Sequence, residues 1–207
     1  MRKSEPPGPP PAPPTDLGTR TLKSIRIVPG AILYRIHRTK EGALYFGRET
    51  ELHRRQRWDS PDASYGVCYM AEEDHIAFVE TLLRDLSRKD VSERELEIRS
   101  ITRLRVRLPL RLVAMHGKHL RGNGADGSVV QGPYPNCWKW SGALHGHPSE
   151  PHGIHYRARH DDSGFSIALF ERAGERVEEI ESTALLDTRM SRTLGGWLNR
   201  YGLGFPS

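Results

Sequence analysis

The chain has 207 residues, 36% of them apolar and 28% charged, with a formal net charge of +5 at pH 7. That length suits one domain with a tail, and the apolar share is enough to build a core. No run approaches the roughly 20 consecutive apolar residues that span a bilayer, and no apolar h-region follows the N-terminus, so the chain reads as soluble, without a membrane span or a secretory signal. Cys68 and Cys137 stand apart without C-x-x-C spacing. This argues against a disulfide scaffold and for a reducing, cytoplasmic setting. The positive excess attracts anions without saying which.

The first fourteen residues hold seven prolines. Proline lacks an amide donor and fixes φ, so residues 1–22 are expected to form a disordered or polyproline II tail. Ala31 to Ile36 is apolar and follows Pro29-Gly30, which predicts a strand. Tyr65 to Ala71 predicts a second. Asp74 is a candidate N-cap for a helix reaching about Ser87, with Ile76, Val79, Leu82, Leu83 and Leu86 at helical spacing. Arginine and apolar residues alternate from Arg103 to Leu108, the pattern of a half-exposed strand. Its arginine face reads first as solvated.

The glycine-rich stretch 121–133 predicts a loop and lacks the G-K-[ST] ending of a phosphate cradle. Asn136 to His145 predicts a short helix. Gly153 to Ala158 and Phe165 to Phe170 predict a strand pair around His160-Asp161-Asp162-Ser163-Gly164. Leu194, Trp197, Leu198 and Tyr201 predict a closing helix within residues 186–207. Several adjacent strands mixed with helices define an α+β domain.

Four features carry chemical information. Arg35 lies inside the apolar strand Leu33-Tyr34-Arg35-Ile36, where a guanidinium should meet an anion, either a structural carboxylate or a ligand phosphate. Arg57 stands beside Trp58 in a turn-like segment. Its fork geometry suits phosphate, although a surface arginine is the default for such a segment. Glu80 falls at the edge of the apolar stripe of its helix, so its carboxylate is either capped by an arginine or faces a cleft. His145, His147, His152, His155 and His160 are dense, but no spacing fits a zinc pattern, so no metal is expected.

The order of the segments resembles the RES domain, named for its arginine, glutamate and serine. The matching pieces are Tyr34-Arg35, Phe46-Gly47, Arg57-Trp58-Asp59-Ser60-Pro61, Tyr65-Gly66-Val67-Cys68-Tyr69-Met70-Ala71 and Ala77-Phe78-Val79-Glu80-Thr81. Gly153-Ile154-His155-Tyr156-Arg157-Ala158-Arg159 and Ala168-Leu169-Phe170 follow in order. The domain would then occupy 23–185. The resemblance implies an ADP-ribosyltransferase-like fold with a mixed or antiparallel sheet core. It implies a toxin that degrades NAD⁺ by hydrolysis or phosphorolysis, with inorganic phosphate as the co-substrate in the second case.

By the same resemblance, Arg35 and Arg57 would bind the NAD⁺ diphosphate. Tyr34 precedes the first of these arginines in the strand, Tyr69 would line the pocket, and Glu80 would act at the ribose carbon beside Arg35. A cognate Xre-type antitoxin would be the protein partner, and a homo-oligomer is left open. One departure stands out: Ala158 occupies the place of the family serine, and Ser141, Asn136 and Ser166 are nearby replacements. Protein ADP-ribosylation at the same site is the near alternative, and a pseudoenzyme that binds NAD⁺ without turnover is another. A basic nucleic-acid-binding module built on Arg103, Arg105 and Arg107 is the alternative from another class. Direct nucleic-acid binding is not expected of the RES reading.

Overall fold

A computed structural model describes residues 11–204. Eight strands form one sheet: β1 (Ser24–Ile27), β2 (Ile32–Arg38), β3 (Val67–Ala71), β4 (Arg99–Val106), β5 (Leu110–Met115), β6 (Gly153–Arg157), β7 (Phe165–Phe170) and β8 (Val177–Ala184). The helices are α1 (Asp74–Leu82), α2 (Glu93–Glu97), α3 (His119–Gly122), α4 (Gly127–Gln131), α5 (Tyr134–His145) and α6 (Ser191–Arg200). The protein is α+β. The strand order is β1-β5-β6-β7-β3-β2-β4-β8. Every neighbouring pair is antiparallel except β5 with β6. That parallel pair needs a crossover, which α3, α4 and α5 supply.

Side chains alternate across the strands and build separate cores. On one face α5 covers Val113, Met115, Ile154, Tyr156, Ala168 and Phe170 with Cys137, Trp140 and Leu144. On the same side α1 and α6 cover Ile36, Ala71 and Ile101. The opposite face brings Ile27, Leu110 and Leu112 together with Leu104, Val106 and Val177. These residues come from the two ends of the strand order, so the sheet curls until its ends share a core.

Three expectations change. Residues 11–22 are not a free tail. Leu17 is 3% exposed within the α5 core, Trp140 Nε1 donates to Pro11 O at 2.7 Å, and Leu22 packs alongside. A single well-placed leucine anchors the segment despite its prolines, while residues 1–10 lie outside the described residues. The first helix ends at Leu82, and Leu86 is 88% exposed, so the apolar spacing stops at Leu83. Its N-cap is Glu73, and Asp74 instead accepts from the His75 amide at 2.6 Å. The glycine-rich stretch contains the short α4, capped by Asp126, which accepts from the Ser128 amide. At the C-terminal end α6 packs on α1, with the Trp197 and Phe78 rings 5.1 Å apart.

The arginine strand is β4, and its exposed face is neutralised within the sheet. Arg103 pairs with Glu181 at 3.2 Å, and Glu178 of β8 takes Arg105 at 2.5 Å and Arg107 at 3.5 Å. A face already matched with glutamates offers nucleic acid little free charge. Among the described residues no helix is long and apolar enough to cross a membrane.

Candidate active site

The sheet opens between β2 and β3. Only Tyr34 and Ala71 are in register there, whereas β2 and β4 pair over seven residues and β3 and β7 over five. The splayed strands leave a cleft of 720 Å³ against α1. All five residues singled out from the sequence line it: Tyr34 and Arg35 from β2, Tyr69 from β3, Glu80 from α1, and Arg57 from the preceding loop. Six arginines line the cleft against two glutamates, so its field favours an anion.

Arg57 is held by a loop pinned on both sides. Trp138 Nε1 donates to Gln56 O at 2.8 Å, and Ser141 Oγ donates to Trp58 O at 2.6 Å. Trp58 itself is fully buried, which fixes the turn. The Arg57 side chain is 5% exposed. Its Nη1 donates to Gly132 O at 3.0 Å and contacts Cys137 Sγ at 3.4 Å, and its guanidinium lies 4.8 Å from the Tyr134 ring centre. No carboxylate pairs with it among the described residues, and Nη2 is buried without a hydrogen-bond partner.. A buried charge in this state is costly unless a ligand completes it. The surface-arginine default therefore fails at this position.

Arg35 meets neither a carboxylate nor an open anion site through Nη1. That nitrogen donates to Ala43 O at 2.8 Å and Tyr45 O at 2.9 Å, and it contacts Cys68 Sγ. Neutral carbonyls take this nitrogen, and no carboxylate pairs with Arg35 among the described residues. Cys68, buried beside it, has its thiol pushed up by burial.

Glu80 faces the cleft. Its Oε1 accepts from the His160 amide at 2.8 Å, and no arginine pairs with the carboxylate among the described residues. The turn carrying His160 is seated on α1 by Gly164. A Cβ at Gly164 would fall 2.3 Å from Ile76 Cγ1, so only glycine permits this approach. The His160 imidazole, lined up on the same cleft, is held below its ordinary value by burial.

Tyr69 has its hydroxyl committed. It donates to Asp59 Oδ1 at 2.8 Å and accepts from the Trp58 amide at 2.8 Å. Burial raises both the Tyr69 phenol and the Asp59 carboxyl. Tyr34 packs against the α1 core at the cleft wall.

The candidate serines differ in position. Ala158 is buried in the α1 core. Ser141 is buried and bonded to Tyr65 and Trp58, away from the cleft. Ser166, by contrast, lines the cleft and sits directly opposite Tyr156 in the β6–β7 register. Burial, then Glu80, raises the Tyr156 phenol. Sequence reasoning did not single out Tyr156, Arg159 or His160 as site residues, although two of them fall inside the quoted motif and the third inside the histidine run.

Those histidines scatter. His145 stacks on Tyr65 at 3.7 Å, His147 contacts Ser149, His152 accepts from the Arg111 amide, and His155 lies between His116 and Glu72. No group of three metal-binding side chains occurs among the described residues.

A splayed α+β sheet thus holds a cationic cleft with the Glu80 carboxylate on its wall, and the RES domain family matches residues 32–190. The chain belongs to the RES domain family. No curated protein matches it significantly. Among solved structures, it is similar to the crystal structure of the M. tuberculosis MbcT–MbcA toxin–antitoxin complex, with 16% identity and a TM-score of 0.63, covering 89% of this chain and 100% of that one. That likeness concerns the fold.

Proposed function

We propose that the cleft binds NAD⁺ and cleaves its nicotinamide–ribose bond, and that the protein acts as the toxin of a toxin–antitoxin pair. The observation that carries this reading is Arg57, a buried guanidinium with an unpartnered nitrogen and no counter-charge among the described residues, in the same cleft as the Glu80 carboxylate. A ligand that joins an anionic diphosphate to a sugar developing positive charge satisfies both at once.

In this mechanism Arg57, with Arg159 beside the cleft, holds the diphosphate by charge-assisted hydrogen bonds. Arg35 shapes the wall by tying the 43–45 segment to β2. Glu80, fixed by the His160 amide, stabilises the oxocarbenium-like ribose as the C–N bond breaks. The bonding pair leaves with nicotinamide, which departs neutral, so no strong acid is required. Water attacks the ribose carbon and loses a proton, giving ADP-ribose. Inorganic phosphate in its place would give the ribose 1-phosphate ester. Tyr34, Tyr69 and Tyr156 supply the aromatic walls against which the nicotinamide rests.

The solved structure that shares the fold is a toxin held by its antitoxin. By that analogy a cognate antitoxin covers this cleft, and the protein works in the cytoplasm, where NAD⁺ is available. Expression without the antitoxin should stop growth and empty the NAD⁺ pool, and Glu80→Gln should relieve both. Growth arrest with NAD⁺ intact would overturn the reading.

A further inference from the structure

A second cavity of 890 Å³ adjoins the cleft, with Arg159 and His160 lining both. Its floor is apolar: Met115, Val130 and Ala158 are all buried. Its wall carries His116, the outer member of a part-buried chain. Glu72 Oε1 lies 3.1 Å from His155 Nε2, and His155 Nδ1 lies 2.9 Å from His116 Nε2.

A carboxylate only accepts, so His155 Nε2 donates to it. His155 Nδ1 in turn meets His116, which lines the cavity. Burial keeps His116 neutral, with its pKa lowered to about 4.

We propose that this second cavity receives the adenosine half of the dinucleotide, with the purine on the apolar floor beside His116. The proposal rests on the NAD⁺ reading of the cleft. It follows the substrate outward: the nicotinamide ribose at Glu80, the diphosphate at Arg57 and Arg159, and the adenosine beyond Arg159. It also accounts for Ala158, because a methyl group suits the floor of a purine site better than a hydroxyl does.

Gly127 supplies a clean test. It lines the second cavity, and a Cβ built there meets nothing within 4 Å. Gly127→Trp should therefore fill the cavity without disturbing the core. AMP binding is measured by calorimetry on wild type, Gly127→Trp and His116→Ala. AMP should bind wild type and weaken at least about tenfold in both variants. Cleavage of nicotinamide mononucleotide, which keeps the scissile bond and lacks adenosine, should stay within about twofold of wild type while KM for NAD⁺ rises at least about tenfold.

No AMP binding to wild type, or equal binding to all three proteins, would overturn the proposal. So would parallel losses toward NAD⁺ and the mononucleotide. If wild type cleaves neither substrate but binds AMP and the variants do not, the adenosine site stands and the cleavage reading falls.

Discussion

Arg57→Met separates a ligand-binding arginine from a structural one. The substitution keeps most of the side-chain volume and removes the charge. In the free protein it deletes the hydrogen bond to Gly132 O, worth about 1.5–3 kcal/mol for a charged donor. It also removes a buried charge that has no acidic partner among the described residues, which returns several kcal/mol of desolvation. The two effects oppose, so stability without ligand should move by no more than about 2 kcal/mol in either direction. With ligand the balance differs. Losing one charge-assisted hydrogen bond to the diphosphate should raise Kd about 10- to 150-fold.

Urea denaturation with and without ADP-ribose, the product of the proposed hydrolysis, reads both quantities. At a concentration 100 times the wild-type Kd, wild type should gain about 2.7 kcal/mol. The variant should gain only between about 0.3 and 1.4 kcal/mol at the same concentration. A variant that loses more than about 3 kcal/mol without ligand and keeps the full ligand-dependent gain would refute the reasoning, because Arg57 would then be structural.

Leu17→Ala should cost about 2–5 kcal/mol in chemical denaturation, because Leu17 is buried in the α5 core; a neutral result would return residues 11–22 to the status of a loose tail. His116, His145 and His152 are each lowered from 6.5 to about 4, chiefly by burial. The unfolded chain then binds more protons than the folded one between these values, so stability is full above about pH 6.5 and falls as pH drops toward 4; a urea midpoint that stays flat across that window would contradict this. Ser166→Ala should lower kcat/KM by up to about tenfold with the melting temperature unchanged, while Ser141→Ala should do the reverse; loss of activity only in the second would move the functional hydroxyl away from the cleft.

The elements that read clearly in the sequence were those with local signals. β2, β3, β6 and β7 have apolar runs bounded by turns, and the α1 stripe marks its helix. β8 was missed because Val177–Ala184 is an edge strand whose glutamates face solvent and pair with β4, so its pattern is polar. β5 was missed because Leu110–Met115 is a short apolar run beside a proline, without strand alternation. The site residues were legible as residue types in order, and Glu80 could be placed near a cleft from helical phase alone. Their environments were not legible. The burial of Arg57 comes from the junction of α4 and α5, 75 residues downstream at Gly132, and the anchoring of Arg35 comes from carbonyls of a loop without pattern. The place of Ser166 on the cleft wall depends on strand register, which pairs Ser166 with Tyr156 and which no local motif encodes.

The central claim is that this cleft cleaves NAD⁺ through Glu80. The direct measurement is NAD⁺ consumption by purified wild type and Glu80→Gln, each with and without inorganic phosphate. The account predicts that wild type releases nicotinamide and that Glu80→Gln is slower by about 10²–10³, with phosphate dependence choosing between phosphorolysis and hydrolysis. NAD⁺ left intact by wild type, or consumed equally by both proteins, would contradict it.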